Sequence, residues 1–157
     1  MKYAMKQKTR RGNSGEIHMN AKSNDLIGAW RLVNWSLVYA DGRAPEYPLG
    51  DDAQGIIMYT VDGHVSATLM RRARPARAPV TEAESAAAYA ESFAYAGRYE
   101  VRDGAAYHSI EIATNPALIG ITSTRHIALD GDRLILSGPD FAAASPRTQR
   151  IEWRRAA

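Results

Sequence analysis

The stretch GITSTRHIALDGDRLILS, residues 120–137, places an alternating or apolar run on each side of an Asp-Gly pair. Asp-Gly is the strongest short signal for a β-hairpin, because a type I′ turn needs positive φ at both of its central residues. The same dipeptide recurs at Asp41-Gly42, Asp62-Gly63 and Asp103-Gly104. The sequence therefore predicts a protein built from consecutive hairpins.

The runs between and around these turns predict eight strands. Their approximate ranges are 27–40, 54–61, 64–70, 95–102, 105–113, 119–129, 132–138 and 148–155. Eight strands that follow one another as a meander are typical of an all-β, up-and-down antiparallel barrel.

One short helix is predicted between the third and fourth strands. Thr81 followed by Glu84 forms a capping box, and Ala86, Tyr89, Ala90 and Phe93 fall on one face at helical spacing. The preceding residues 71–79, RRARPARAP, are predicted as loop because their prolines fit neither a helix interior nor a sheet ladder.

The connections divide between the two ends of such a barrel. The Asp-Gly turns at 62–63, 103–104 and 130–131 fall at one end as tight turns. The long connections, at about 41–53, 71–94, 114–118 and 139–147, fall at the other. The sequence therefore predicts a cup with one tightly closed end and one end ringed by loops.

Two-residue turns also fix which residues lie opposite one another. They predict inward-facing pairs, namely Tyr99 with His108, Gly97 with Ile110, Tyr95 with Ile112, Met58 with Ala67, Ile56 with Leu69, Ile127 with Leu134 and Arg125 with Leu136. The opposite face is charged and is predicted to lie in water, through Arg98, Glu100, Arg102, Glu111 and Arg133. The inner wall is therefore expected to be mainly apolar, with Tyr99, His108, Ser123 and Arg125 as its polar members.

Composition limits the class of protein. A length of 157 residues fits one domain, the absence of cysteine excludes disulfides and thiolate chemistry, and no apolar run approaches the roughly 20 residues that span a bilayer. Residues 1–24 contain six of the 20 basic side chains and one of the 17 acidic ones, which leaves 14 basic against 16 acidic residues in the rest. We therefore predict a disordered basic extension at residues 1–24 and a nearly neutral barrel domain at residues 25–157. This pattern favours a cytoplasmic protein with no nucleic-acid or membrane partner, and it leaves a homodimer open.

The order of several motifs resembles the lipocalin-like domain family, small bacterial and fungal barrel proteins of the calycin type. The matching pieces are LIGAWRLV (26–33), PLGDDAQGIIMYTVDGHVSATLMRRARP (48–75), FAYAGRYEV (93–101), His108, GITSTRHIALDGDRLILS (120–137) and WRR (153–155). The resemblance implies an eight-stranded barrel with an internal ligand cavity. Fold alone does not fix function.

The resemblance also assigns a structural role to the first and last strands. Lipocalins carry a Gly-X-Trp motif whose indole closes the barrel bottom beneath an arginine from the last strand. Gly28 and Trp30 resemble that motif, and Trp153 with Arg155, or Arg154, would supply the last strand's part. These residues are therefore expected to close the barrel rather than to contact a ligand.

The favoured function is binding of a small, largely hydrophobic molecule inside the barrel. The candidate ligand-binding residues are Tyr99, His108, Arg125, Ser123, Met58 and Tyr95. An acid or carbonyl group of the ligand is expected near Tyr99, His108 and Arg125, with residues 71–94 as a lid. Other interpretations stay open at this point. His108 could simply be satisfied by Tyr99, Arg125 could be capped by backbone carbonyls, and a register error of one residue would place His126 inside instead.

An enzyme is the main alternative. An isomerase or cyclase acting on a natural-product-type substrate could use His108 or Tyr99 for proton transfer, and a barrel filled by its own side chains would have neither function. No metal or other cofactor is predicted, since His64 and His126 are expected to point outward and His108 inward. The arginines Arg71, Arg72, Arg74 and Arg77 are interpreted as a solvated loop paired with nearby acids.

Overall fold

The computed structural model describes residues 21–140 and 146–157 and forms a closed antiparallel barrel. Its strands are β1 (Gly28–Tyr39), β2 (Gln54–Tyr59), β3 (His64–Met70), β4 (Ser92–Arg102), β5 (Ala105–Ala113), β6 (Thr122–Asp130), β7 (Arg133–Pro139) and β8 (Arg147–Arg155). Each strand pairs with its neighbours in the chain, and β1 pairs with β8 to complete the ring. The predicted eight-stranded up-and-down barrel is confirmed.

The described residues also form two short helices and one 3₁₀ turn. They are α1 (Ser23–Leu26), α2 (Glu82–Ala90) and the turn Pro116–Leu118. The Thr81 hydroxyl accepts a hydrogen bond from the Glu84 amide at 3.1 Å, and the Glu84 carboxylate accepts one from the Val80 amide at 2.7 Å. The predicted helix and its cap are thus present, although Phe93 lies in β4. None of the described helices is long and apolar enough to cross a membrane.

The packed chain begins before the boundary that the charge pattern predicted. Ala21 is buried in the core cluster, and the first two residues of α1, Ser23 and Asn24, were assigned to the extension. Residues 1–20, the rest of that predicted extension, lie outside the described residues. Ala21 thus packs with the barrel core, and the domain boundary at residue 25 stays a prediction.

The closed end of the barrel is built around Trp30. This side chain is fully buried, and its indole N–H donates to the Leu26 carbonyl at 2.8 Å. The Arg155 guanidinium lies 4.0 Å from the centre of the indole and donates to the carbonyls of Ile27 and Asp25. Gly28 adopts a φ of 118°, which favours glycine, beneath that guanidinium. Gly28, Trp30 and Arg155 thus lie together at this end, and Arg155 rather than Arg154 provides the cation. Their role in closing the barrel stays a prediction.

One predicted turn has a different length, and this reverses the faces of β2. Thr60 and His64 are joined by a backbone hydrogen bond around a three-residue loop, and Gly63 has a φ of 86°. Such a loop carries one more residue than the predicted two-residue turn. Because side chains alternate with period two, Ile57 lies opposite Ala67, and the predicted inward pairs of Met58 with Ala67 and Ile56 with Leu69 are wrong.

Two other register predictions need smaller corrections. At the β6–β7 turn Asp130 pairs with Arg133, so Ile127 faces Leu136 rather than Leu134. That shift preserves the face, and Ile127, Leu134 and Leu136 are all buried as expected.

A bulge alters the β4–β5 pairing away from its tight turn. Tyr99 pairs with His108 and Gly97 with Ile110, as predicted. Between Gly97 and Ala96 the register skips one residue of β5, so Tyr95 lies opposite Ala113. Ile112, predicted to point inward, is therefore exposed.

We expect Arg155→Met to weaken the closed end, since it removes a cation over an indole and the donors to two carbonyls. Such losses sum to about 1–3 kcal/mol of unfolding free energy, measured by urea denaturation. Arg154→Met is the matched control, because Arg154 is exposed on the other face of the same strand. Equal effects of the two substitutions would contradict the closure role of Arg155.

Candidate functional site

The interior of the barrel contains a cavity of about 270 Å³. Most of its wall is aromatic or aliphatic, from Trp35, Ile57, Ala67, Leu69, Phe93, Tyr95, Ile110, Leu136, Ile151 and Trp153. The connection between β5 and β6 contributes Asn115, Leu118 and Ile121, and the polar lining consists of Ser123, Arg125, Asp140 and Gln149. A small concave space with an apolar wall and a few polar groups is typical of a ligand site.

Arg125 is the central polar residue of this cavity. It points inward from β6 as predicted and is 9% exposed. Within the described residues its guanidinium makes one hydrogen bond, from Nη1 to the neighbouring Thr124 carbonyl at 3.1 Å. Burial lowers the pKa of Arg125, an effect that Tyr95, Tyr59 and Asp140 partly oppose. Four guanidinium N–H groups thus lack a described hydrogen bond in a site that is largely shielded from water.

A glycine on the next strand makes room for this guanidinium. A Cβ at Gly138 would lie 3.0 Å from Arg125 Nη1 and would clash with the Thr124 carbonyl oxygen. The strand β7 therefore needs a residue without a side chain where the arginine passes. This local constraint holds Arg125 against the wall of the cavity.

The acidic partner that sequence analysis did not assign to this wall is Asp140. Its carboxylate accepts hydrogen bonds from Arg147 Nε at 2.5 Å and from Gln149 Nε2 at 3.3 Å. Arg147 also donates to the Tyr39 hydroxyl at 3.3 Å. Asp140 contributes negative charge near Arg125, but its nearest described cation is Arg147.

Three further residues of the cavity wall hold buried donors without a partner in the described chain. These are the indole N–H groups of Trp35 and Trp153 and the hydroxyl of Ser123. Each unmet buried donor costs about 1–3 kcal/mol, and buried polar groups in native proteins are normally hydrogen-bonded. These unmet donors add to those of Arg125, whereas the carboxylate of the lining, on Asp140, already accepts hydrogen bonds from Arg147 and Gln149.

His108 lies behind this wall, between two tyrosines. It is fully buried, with Nε2 at 3.0 Å from the Tyr59 hydroxyl and Nδ1 at 2.9 Å from the Tyr95 hydroxyl. Burial, reinforced by the charge of Arg125, lowers the pKa of His108 to about 3. Burial raises the pKa of Tyr95 to about 12 and that of Tyr59 well above its ordinary value. The imidazole is therefore neutral and both phenols are protonated at neutral pH.

Three of the six predicted ligand residues do not line the cavity: His108 lies behind its wall, and Met58 and Tyr99 lie elsewhere. Met58 is 46% exposed on the outer face, because the three-residue turn reverses β2. Tyr99 lies opposite His108, but its hydroxyl donates to the Thr60 carbonyl at 3.1 Å, so the expected Tyr99–His108 hydrogen bond is wrong. Long side chains on opposite residues need not meet at their tips, and Tyr59 and Tyr95 take the positions beside the imidazole.

The structure thus brings together Tyr95, Ser123 and Arg125 and adds residues that sequence analysis missed. Tyr59 was missed because the predicted two-residue turn assigned the wrong face of β2 to the interior. Trp35 was missed because the β1–β8 pairing skips a residue between Leu32 and Asn34, which breaks the simple alternation from Trp30. Trp153, assigned to barrel closure, is buried and also lines the cavity.

The remaining candidates are accounted for by their surroundings. Arg71 and Arg74 approach Glu91, Arg72 approaches Asp52, and Arg77 pairs with Glu84, as expected for an internally paired loop. The predicted lid comprises residues 71–94, all of which are described, and Phe93 is its one residue that lines the cavity. His64 and His126 are exposed, so they do not converge with His108.

The neutral state of His108 predicts acid-sensitive stability. The unfolded chain takes up a proton below the ordinary pKa of 6.5, whereas folded His108 resists protonation down to a pKa of about 3. The unfolded state therefore binds more protons between these values, and stability is lost as the pH falls. From pH 7 to 5 this amounts to about 2 kcal/mol.

The unfolding free energy of His108→Gln, measured by urea denaturation at pH 7 and pH 5, should not show that loss. The exposed His126→Gln is the control and should retain it. Identical acid sensitivity in the wild type and in His108→Gln would contradict the neutral, buried state of the imidazole.

The chain was also compared with known proteins. No curated protein sequence is significantly similar to it. A family model described as a lipocalin-like domain matches residues 27–156. That range covers every strand of the barrel, including both strands that close it and all of the polar cavity residues. The match and the closed barrel together establish that this chain belongs to the lipocalin-like domain family, whose fold supports ligand binding in general.

Proposed function

We propose that the protein binds a small, largely apolar molecule that carries a carboxylate or carbonyl group, with that oxygen-bearing group at Arg125. The observation that carries the proposal is Arg125 itself, a buried guanidinium with one described hydrogen bond, facing a cavity. An unpaired buried charge costs several kcal/mol. An anionic ligand would offset that cost.

The other polar groups of the wall favour the same chemistry. Ser123, Trp35 and Trp153 contribute donors without a described partner, and the nearby carboxylate of Asp140 already accepts hydrogen bonds from Arg147 and Gln149. A ligand that brings acceptors fits this wall better than one that brings donors. The volume of about 270 Å³ lies just below the usual range for drug-sized ligands, which favours a compact molecule.

The enzyme alternative receives less support from the same residues. A general base works best with a pKa near the operating pH, and His108 has a pKa of about 3. Neither His108 nor Tyr99 belongs to the lining of the cavity. The alternative of a barrel filled by its own side chains conflicts with a cavity of this size.

Isothermal titration calorimetry with matched probes tests the proposal. Octanoic and cinnamic acids should bind more tightly than octanol and cinnamyl alcohol, which have similar apolar bodies. Arg125→Met should reduce the affinity for the acids about 10- to 100-fold, since hydrogen bonds to charged groups contribute about 1.5–3 kcal/mol. The affinity for the alcohols should change little.

The stability of the same variant provides a second measurement. Arg125→Met removes a buried charge that has one described hydrogen bond, and with it the cost of keeping that charge out of water. The melting temperature of the variant should therefore be unchanged or higher. Arg98→Met is the control and should bind the acids as the wild type does, because Arg98 is exposed on the outer face of β4.

The assignment of Arg125 would be refuted if Arg125→Met bound the acids as tightly as the wild type does, and if acids and alcohols bound equally well.

A further inference from the structure

We propose that the buried Tyr59–His108 pair orients the Tyr95 hydroxyl so that its hydrogen points toward the cavity, making Tyr95 a second donor to the ligand oxygen beside Arg125. This inference rests on the proposed function for the identity of the ligand group. The orientation of Tyr95 follows from the protein alone, because it depends on how three buried polar groups satisfy one another.

The two ring nitrogens of His108 limit how its hydrogen bonds can be arranged. A neutral imidazole has one N–H donor and one nitrogen acceptor. His108 has a tyrosine hydroxyl at each nitrogen, 3.0 Å away at Nε2 and 2.9 Å away at Nδ1. One tyrosine must therefore donate to the ring, and the other must accept from it. The tyrosine that accepts keeps its own hydroxyl hydrogen for another partner.

The surroundings of the two hydroxyls determine which tyrosine keeps the spare hydrogen. Tyr59 is 2% exposed and does not line the cavity, and within the described chain its hydroxyl has His108 as its hydrogen-bond partner. A spare hydrogen on Tyr59 would be buried and unmet, at a cost that disfavours this arrangement. Tyr95 lines the cavity, where a ligand or a water molecule can accept its hydrogen.

The lower-energy arrangement is therefore a directed chain of hydrogen bonds. Tyr59 donates to Nε2, the Nδ1–H of His108 donates to the Tyr95 oxygen, and the Tyr95 hydroxyl donates into the cavity. Burial keeps both phenols protonated, since it raises the pKa of Tyr95 to about 12 and raises that of Tyr59 well above its ordinary value. The direction of the chain thus stays the same across the neutral pH range.

The consequence is a two-point site for an oxygen group. Tyr95 and Arg125 line the same cavity and are close enough for the guanidinium to affect the phenol's ionisation. A carboxylate can accept from both, one oxygen to each donor, whereas an alcohol presents a single oxygen. The Tyr59–His108 pair acts as a positioning device for specificity and needs no proton transfer.

Nitrogen-15 NMR of histidine-labelled protein tests the orientation without any ligand. Two-bond correlations distinguish a protonated Nδ1 from a protonated Nε2, and we expect His108 to carry its hydrogen on Nδ1 at pH 7. In Tyr59→Phe the donor to Nε2 is gone, so the preference should weaken. A His108 that is protonated on Nε2 in the wild type would overturn the inference, whatever the protein binds.

Calorimetry with octanoic acid tests the second donor. Tyr95→Phe should lower the affinity about 5- to 20-fold, and Tyr59→Phe should lower it less, because the Tyr95 hydroxyl can then turn toward Nδ1. Tyr99→Phe is the control and should leave the affinity unchanged, since the Tyr99 hydroxyl donates to Thr60. If Arg125→Met weakens binding while Tyr95→Phe does not, the second donor is refuted and the proposed function stands. If no acid of the panel binds, the proposed function fails, and the NMR result alone decides the orientation.

Discussion

The pairing of β1 with β8 is the constraint on which the rest of this structure depends. It joins the two edges of the sheet, and it sets Trp30 directly opposite Arg155. Residues directly opposite in an antiparallel pair share one face, so the guanidinium covers the indole at the point where the ring closes. The same closure turns one face of all eight strands inward and seals the end that holds Trp30. Everything placed on that face must then be satisfied within the barrel.

The inner face is not fully satisfied by the protein's own described residues. Near the closed end Trp30, Leu26 and their neighbours form a continuous apolar core with a hydrogen-bonded indole. Higher in the barrel Arg125 makes one described hydrogen bond, and the Ser123 hydroxyl and two further indoles have no described partner. The fold thus divides its interior into a structural floor and a cavity rich in donors. Polar groups without partners beside a cavity are typical of a site where a ligand supplies the missing hydrogen bonds, so they favour a ligand-binding function.

The fold could be predicted from the sequence because its main signals are local. Asp-Gly turns, alternating runs and the capping box at Thr81 each act over a few residues, and all agreed with one topology. Face assignments depend instead on the exact length of each turn and on bulges. One additional residue in the turn after β2 moved Met58 outward and Tyr59 inward, whereas the shifted turn after β6 left Arg125 and Ile127 in place. A shift of the turn by one residue preserves the face, and a change in loop length by one residue reverses it.

The site was predictable where a residue's own strand determined its direction, and less so where partners came from distant segments. His108, Ser123 and Arg125 lie on the inner side as the alternation of β5 and β6 indicated. The partners of His108 come from β2 and β4, and Asp140 enters the cavity from the end of β7. No spacing rule relates these segments. Their arrangement depends on the shear of the closed barrel and on irregular positions such as the bulge in β1.

Native mass spectrometry of the freshly purified protein tests the central claim most directly, namely that the barrel holds a compact molecule with an oxygen-bearing group. We expect a complex heavier than the bare chain by the mass of one small molecule, or a bare chain that takes up one equivalent of a small apolar carboxylic acid. A bare chain that takes up none of a broad panel of such acids, under conditions that preserve the folded charge states, would contradict it.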